Sequence, residues 1–230
     1  MREIVLDTET TGFEPGEGDR IVEIGAVELF NHMPTGKTYH QYINPERSMP
    51  QGAFEVHGLG DEFLRDKPVF KKIGQAFLDF VGDAKLVIHN AAFDMKFLNA
   101  ELGWAGFPLL PNDQALDTLA IARKKFPGSP ATLDALCRRF GVDNSAREKH
   151  GALLDSEILA EVYLELIGGR QPGLILSESR GTSGMESAQD AWRPMSRPEP
   201  LPPRITEAER AAHHAFVEKL GDAALWKSQA

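Results

Sequence analysis

Residues 1–169 predict an α/β domain, a mixed five-stranded sheet flanked by helices, with a flexible C-terminal tail behind it. Three observations lead there. Strand-like runs crowd residues 3–44, helical spacing alternates with short apolar runs over residues 69–167, and the composition changes abruptly after Gly169.

The elements follow in order. Glu3–Glu9, Arg20–Leu29 and Tyr39–Asn44 read as three strands joined by turns that carry Gly or Pro. Residues 69–80 follow Pro68 and set Phe70, Ile73, Phe77 and Phe80 at helical spacing. Lys85–His89 is a short buried strand that runs into a helix over Ala91–Leu102. Two more helices follow, Asp117–Lys125 and Thr132–Phe140, the first with a short strand before it and Asp117 as its cap. Asp134 and Asp143 lie near helix ends and need no further role. The last helix of the domain, Ala152–Ile167, stops at Gly168-Gly169.

Residues 177–203 are rich in Ser, Gly, Pro and Arg and poor in large apolar side chains, which predicts a disordered linker. A helix then spans residues 205–220, capped by Thr206 with Glu209 three positions on, and an apolar cluster follows at residues 223–226. One short helix cannot bury its own apolar face, so residues 204–230 read as a segment that docks on a partner.

No apolar run is long enough to span a membrane, and Met1-Arg-Glu-Ile4 enters a strand without a signal peptide. The single cysteine, Cys137, sits in a helical run and suits core packing. The expectation is a soluble cytoplasmic protein. The net charge of −9 belongs to residues 1–167, since residues 168–230 balance to zero. That argues against a broad basic grip on nucleic acid, though not against holding a strand end through metal ions.

The chemistry starts at Val5-Leu-Asp-Thr-Glu-Thr-Thr-Gly12, where an apolar strand ends in Asp7 and Glu9. Strand alternation points these two acids to one side. Asp94 aligns with Phe97, Leu98 and Leu102, and Asp155 with Leu159, Val162 and Leu166, so each sits on an apolar helix stripe. Taken singly, either could be a helix-start residue facing free N–H groups. Together with Asp7 and Glu9 they predict a site for hard divalent cations, because burying an unpaired carboxylate costs several kcal/mol. Four carboxylates could hold two ions about 3.5–4 Å apart, as in phosphodiester cleavage. His150, on the loop entering the last helix, could lean over the metals and take a proton from water; taken alone it reads more readily as a solvated loop histidine. His89-Asn90 suits hydrogen bonding that positions the Asp94 helix, and His213 and His214 read as solvated.

Asp7-Thr-Glu-Thr-Thr-Gly12, His89-Asn-Ala-Ala-Phe-Asp94 and His150-Gly-Ala-Leu-Leu-Asp155 resemble, in order and spacing, the three motifs of the DEDDh 3′→5′ exonucleases. The resemblance implies a ribonuclease-H-like fold and two Mg²⁺ or Mn²⁺ ions. It implies Asp7 shared between the ions, Glu9 and Asp155 on the one that activates water, Asp94 supporting the other, and His150 as general base. Glu55-Val-His-Gly-Leu59 resembles a substrate-side segment of the family, so Thr10, Phe13 and His57 join Asp7, Glu9 and Asp155 as expected contacts of the terminal nucleotide; Phe13 reads equally as core.

The tail resembles the segment by which proofreading members of the family dock on a bacterial replicative polymerase. Within residues 170–176, Gln171, Leu174 and Leu176 resemble a sliding-clamp-binding peptide, or else simply finish the domain. These resemblances imply a DNA 3′ end as substrate and a proofreading role. An RNA exonuclease would share the catalytic five but leave the tail without a purpose, and a non-catalytic adaptor would not need all five. Nothing in the sequence identifies a small accessory subunit.

Overall fold

A computed structural model of the protein describes residues 1–147, 149–169 and 205–221. The chain divides into two units, Met1–Ile175 and Leu176–Ala230. In the first unit the strands are β1 (Arg2–Thr10), β2 (Ile21–Phe30), β3 (Met33–Tyr42), β4 (Lys85–Ile88) and β5 (Ala115–Asp117). Its helices are α1 (Gln51–His57), α2 (Asp61–Leu64), α3 (Phe70–Val81), α4 (Ala91–Ala105), α5 (Thr118–Lys125), α6 (Leu133–Phe140) and α7 (Ala152–Leu166). In the second unit, α8 spans Glu207–Lys219.

The five strands lie in the order β3-β2-β1-β4-β5. β1 pairs antiparallel with β2 and parallel with β4, and β5 extends the parallel half. The sheet is therefore mixed and five-stranded, as expected. Period-two alternation splits β1 between two cores. Ile4 and Leu6 join Phe77, Phe97 and Leu98 on one side, while Val5 joins Leu159 and Tyr163 on the other. A third cluster packs Leu136 and the fully buried Cys137 against Val162, which bears out the core reading of that cysteine.

Two local readings of the chain differ from the structure. β3 begins at Met33 rather than near Tyr39, because residues 33–38 are exposed on an edge strand and carry no burial pattern to read. α1 and α2 were not expected: both are short and lack a side-chain N-cap, so neither periodicity nor capping announces them.

In the second unit, α8 carries the expected capping box between Thr206 and Glu209; Phe216 on it and Leu220 at its C-cap are exposed. Residues 170–176, with Gln171, Leu174 and Leu176, and the linker 177–203 lie outside the described residues. Among the described residues no helix is long and apolar enough to cross a membrane.

Candidate active site

The site forms at the C-terminal edge of the parallel strands, where open α/β sheets offer a crevice. β1 delivers Asp7 and Glu9. Asp94 lies in the first turn of α4, which leaves β4 through Asn90 in a left-handed conformation (φ 67°). That turn is tied down as expected for His89-Asn90. The Asn90 N–H donates to Asp117 Oδ1 at 3.0 Å, and His89 Nδ1 is hydrogen-bonded to Thr118 Oγ1 at 2.9 Å, a hydroxyl that also reaches Ile88 O at 3.2 Å. Asp117 also caps α5 through the Leu119 N–H, bearing out its reading as an N-cap.

Asp155 arrives on the first turn of α7, and Gly25 decides where that turn sits. Gly25 pairs with Asp7 across the β1–β2 ladder. A Cβ there would lie 2.1 Å from Leu153 N and 2.2 Å from Ala152 C, so only glycine lets the start of α7 rest on the sheet beside Asp7. Ser156 Oγ donates to both Gly25 O and Ala152 O and fixes the approach. His150 lies on the loop before α7, its N–H bonded to Val56 O and its ring exposed.

Asp7, Glu9, Asp94, His150 and Asp155 line one cavity of about 730 Å³, together with Arg147. Glu9, Asp94 and Asp155 are buried and Asp7 is half-buried. Among the described residues, one ligand atom each of Glu9, His150 and Asp155 lie within 4.8 Å of one another. That cluster admits His150 as a ligand, where the sequence placed it beside the metals without ligating them. Asp7 and Asp94 line the same cavity outside that tight group.

The electrostatics divide the acids. Burial pushes the Asp7 carboxyl up, and the charges of Asp94, Glu9 and Asp155 add to it. Burial, with Asp155 and Glu23 next, pushes Glu9 up to about 8. Asp94 is raised by burial despite the 2.7 Å hydrogen bond it accepts from Thr8 Oγ1. Asp155 goes the other way. Burial opposes its charge, yet the His150 ring beside it and the hydrogen bonds and charge of Arg147 hold it below the ordinary carboxylate range.

Arg147 is a neighbour of these acids that the sequence did not single out. Its Nε and Nη2 fork onto Asp155 Oδ1 and Oδ2 at 2.5 and 2.7 Å, and Nη1 donates to Asp134 Oδ1 at 2.8 Å. Asp134 is thus more than a helix-end residue. It anchors Arg147 and also accepts from Asn144 Nδ2, a role that local spacing could not reveal because its partners lie 10 and 13 residues on.

A second cavity shares Thr8 and Glu9 with the first and is lined by Thr10, Phe13 and His57. Phe13 is 83 % exposed with its edge toward Phe93, so it is not a core residue. Thr10 Oγ1 donates to Gly12 O. His57 is buried; its Nδ1 accepts the Leu59 N–H at 3.0 Å, which leaves the proton on Nε2, on the side of the Thr10 carbonyl.

These residues fit divalent cations. Three carboxyls are held against their own charge by burial and by each other, they face one cavity, and oxygen is the donor that hard cations take.

A mixed sheet with four acids and a histidine gathered at its edge defines the class of DEDDh 3′→5′ exonucleases. The chain belongs to the Exonuclease (RNase_T) family, whose model matches residues 4–163. It is 44% identical over 244 aligned residues to the DNA polymerase III subunit epsilon of Escherichia coli (strain K12), covering 99% of this chain and 98% of that relative. It is 59% identical over 174 residues to the subunit of the same name from Rickettsia felis, covering 74% of this chain and 76% of that one. Among solved structures it resembles the nuclease domain of 3'hExo, a DEDDh family member bound to rAMP (TM-score 0.63, 20% identity, 72% of this chain and 91% of that chain). It also resembles Exonuclease I (TM-score 0.64, 18% identity, 74% and 41%). At such identities these two structures bear on the fold, which is ribonuclease-H-like.

Proposed function

We propose that this exonuclease removes mismatched nucleotides from DNA 3′ ends as the proofreading subunit of a bacterial DNA polymerase III, working in the cytoplasm. The observation that carries this reading is the likeness to the Escherichia coli subunit, which spans 99% of the chain and so reaches beyond the nuclease domain into the tail. In this reading residues 1–169 cleave, residues 177–203 tether, and residues 204–230 dock on the alpha subunit of the polymerase. Gln171, Leu174 and Leu176 would bind the sliding clamp. The acidic surface suits an enzyme to which the polymerase delivers a frayed end.

Asp7, Glu9, Asp94 and Asp155 would hold two Mg²⁺ or Mn²⁺, which when bound polarise the scissile phosphate and lower the pKa of a water nucleophile. The protein's own groups do the rest. His150 takes the proton from the attacking water. His57 presents its Nε2–H, and Phe13 an exposed ring, to the terminal nucleotide in the adjoining cavity. The parallel strands and α7, seated on Gly25, hold the acids in place before substrate arrives.

The test uses two end-labelled substrates, a 3′-mismatched DNA primer-template and an RNA of the same sequence, with Mg²⁺ and with EDTA. Stepwise metal-dependent loss from the DNA 3′ end, absent in Asp7→Ala, is the expected result. Preference for the RNA would keep the chemistry and transfer the protein to RNA maturation or turnover.

A further inference from the structure

Arg147 is placed where no catalytic scheme built on the five DEDDh residues requires a cation. Its guanidinium spends two donors on the two oxygens of Asp155 and reaches His150 with the same nitrogen, Nη2 lying 2.7 Å from His150 Nδ1. The side chain is only 9 % exposed, so this is a built contact rather than a surface encounter. An arginine has no lone pair to offer, so at that distance Nδ1 is the acceptor. The imidazole then carries its proton on Nε2, and its basic lone pair is occupied. Nδ1 also stands 3.3 Å from Asp155 Oδ2, but it cannot donate there while it accepts from Arg147.

We propose that Arg147 is a positioning residue that stands in for a divalent cation at Asp155 and masks His150, and that metal loading must displace its guanidinium. This rests on the reading of Asp155 as a metal ligand. The same two oxygens cannot serve a bidentate guanidinium and a cation at once. The metal-free site therefore holds together around an internal cation, and the general base becomes available only when that cation leaves. Asp134 supplies the exit. It holds Nη1 at 2.8 Å from a half-exposed position at the rim, so the guanidinium keeps one anchor when the Asp155 fork opens.

The consequence is opposite to that of a residue which merely builds the site. Removing a stand-in cation should tighten metal binding, whereas removing a structural support should weaken it. The measurement is the dissociation constant of Mn²⁺ alone, without nucleic acid, for the full-length chain by calorimetry. Arg147→Met is expected to bind Mn²⁺ about tenfold more tightly than the unaltered chain, the worth of one charge-assisted hydrogen bond. Arg147→Lys, which keeps the charge but loses the fork, should fall between the two.

Lys149→Met is the control for charge alone, since its ammonium lies over the Phe54 ring, 5.3 Å from the centroid. It should leave Mn²⁺ affinity unchanged. Equal tightening in Lys149→Met and Arg147→Met would reduce the effect to general repulsion and overturn the proposal. Unchanged or weaker binding in Arg147→Met would overturn it too. Absence of Mn²⁺ binding to the unaltered chain would instead remove the metal reading on which it rests.

Because Arg147→Met could fail to fold, a second measurement uses the unaltered chain. In the NMR spectrum the Arg147 Nε–H, hydrogen-bonded to Asp155, should be protected from exchange in metal-free protein and lose that protection as Mg²⁺ is added. A signal that stays protected at saturating Mg²⁺ would mean the fork never opens and would end the proposal.

Discussion

Two arginine–carboxylate forks stand out among the described residues of this domain, chemically alike and set in different company. Arg20 grips Glu101 with Nε and Nη2, each at 2.8 Å, and Glu101 Oε1 also accepts the Ile21 N–H. The Trp104 ring lies 5.3 Å from the Arg20 guanidinium, so this pair ties α4 to the start of β2 and is covered by an aromatic face. Arg147 grips Asp155 just as closely, yet Asp134 and His150 share the same guanidinium and Asp7 and Glu9 feel the same charge. The difference is instructive. The fork geometry is alike and both carboxylates are buried, though Arg20 is the more exposed arginine; what separates the two pairs is the surplus negative charge around Asp155.

Substitutions should separate the two regions in opposite directions. Asp7→Ala is expected to abolish metal-dependent cleavage while the metal-free protein keeps or gains thermal stability, since it removes one of several mutually repelling acids. His150→Ala should keep metal binding and lower kcat by about 10²–10⁴. Glu101→Ala should do the reverse, costing about 1–3 kcal/mol because it leaves the part-buried Arg20 guanidinium and the Ile21 N–H without their acceptor, while the folded fraction cleaves normally. Urea melts and single-turnover rates on the same three variants check this. Unfolded Asp7→Ala, or an inactive but stable Glu101→Ala, would erase the distinction.

Most of the fold was legible in the sequence because β1 is central and covered on both faces, so its residues read as a continuous apolar run that ends visibly at Asp7. The acids of the site were legible for the complementary reason: Asp94 and Asp155 break apolar stripes. Gly25 and Arg147 were not singled out. A glycine inside an apolar strand signals a close approach of other backbone, and that signal was there to be used at Gly25. Arg147 carried no such signal. Its partners Asp134, His150 and Asp155 lie on a helix, a loop and another helix, and a lone arginine in a polar loop looks solvated until the fold folds it inward. The start of β3 carries no legible signal because an exposed edge strand leaves no apolar pattern, even with Pro34 marking it as an edge.

The smallest effect is also the most direct probe of the surplus charge. Glu9 is pushed up to about 8 from an ordinary 4.5, chiefly by burial, and Asp7 and Asp94 are raised with it. For a carboxyl raised on folding, the stabilising contribution is full below the unfolded value and is lost as pH climbs through the folded one. Metal-free protein should therefore be more stable at pH 5 than at pH 8, with a slope on the order of 1 kcal/mol per pH unit between them. Glu28 does not blur this window, because hydrogen bonds from Arg2 and Thr35 hold its carboxyl at about 2 and its contribution is lost only in stronger acid. Adding Mn²⁺ should flatten or invert the slope, since the cation competes with protons for the same oxygens. Melting temperatures in EDTA and in Mn²⁺ across pH 5–8 measure both arms. A metal-free protein that gained stability toward pH 8 would mean that Arg147 already neutralises the whole cluster, and the contrast between the two forks would lose its physical basis.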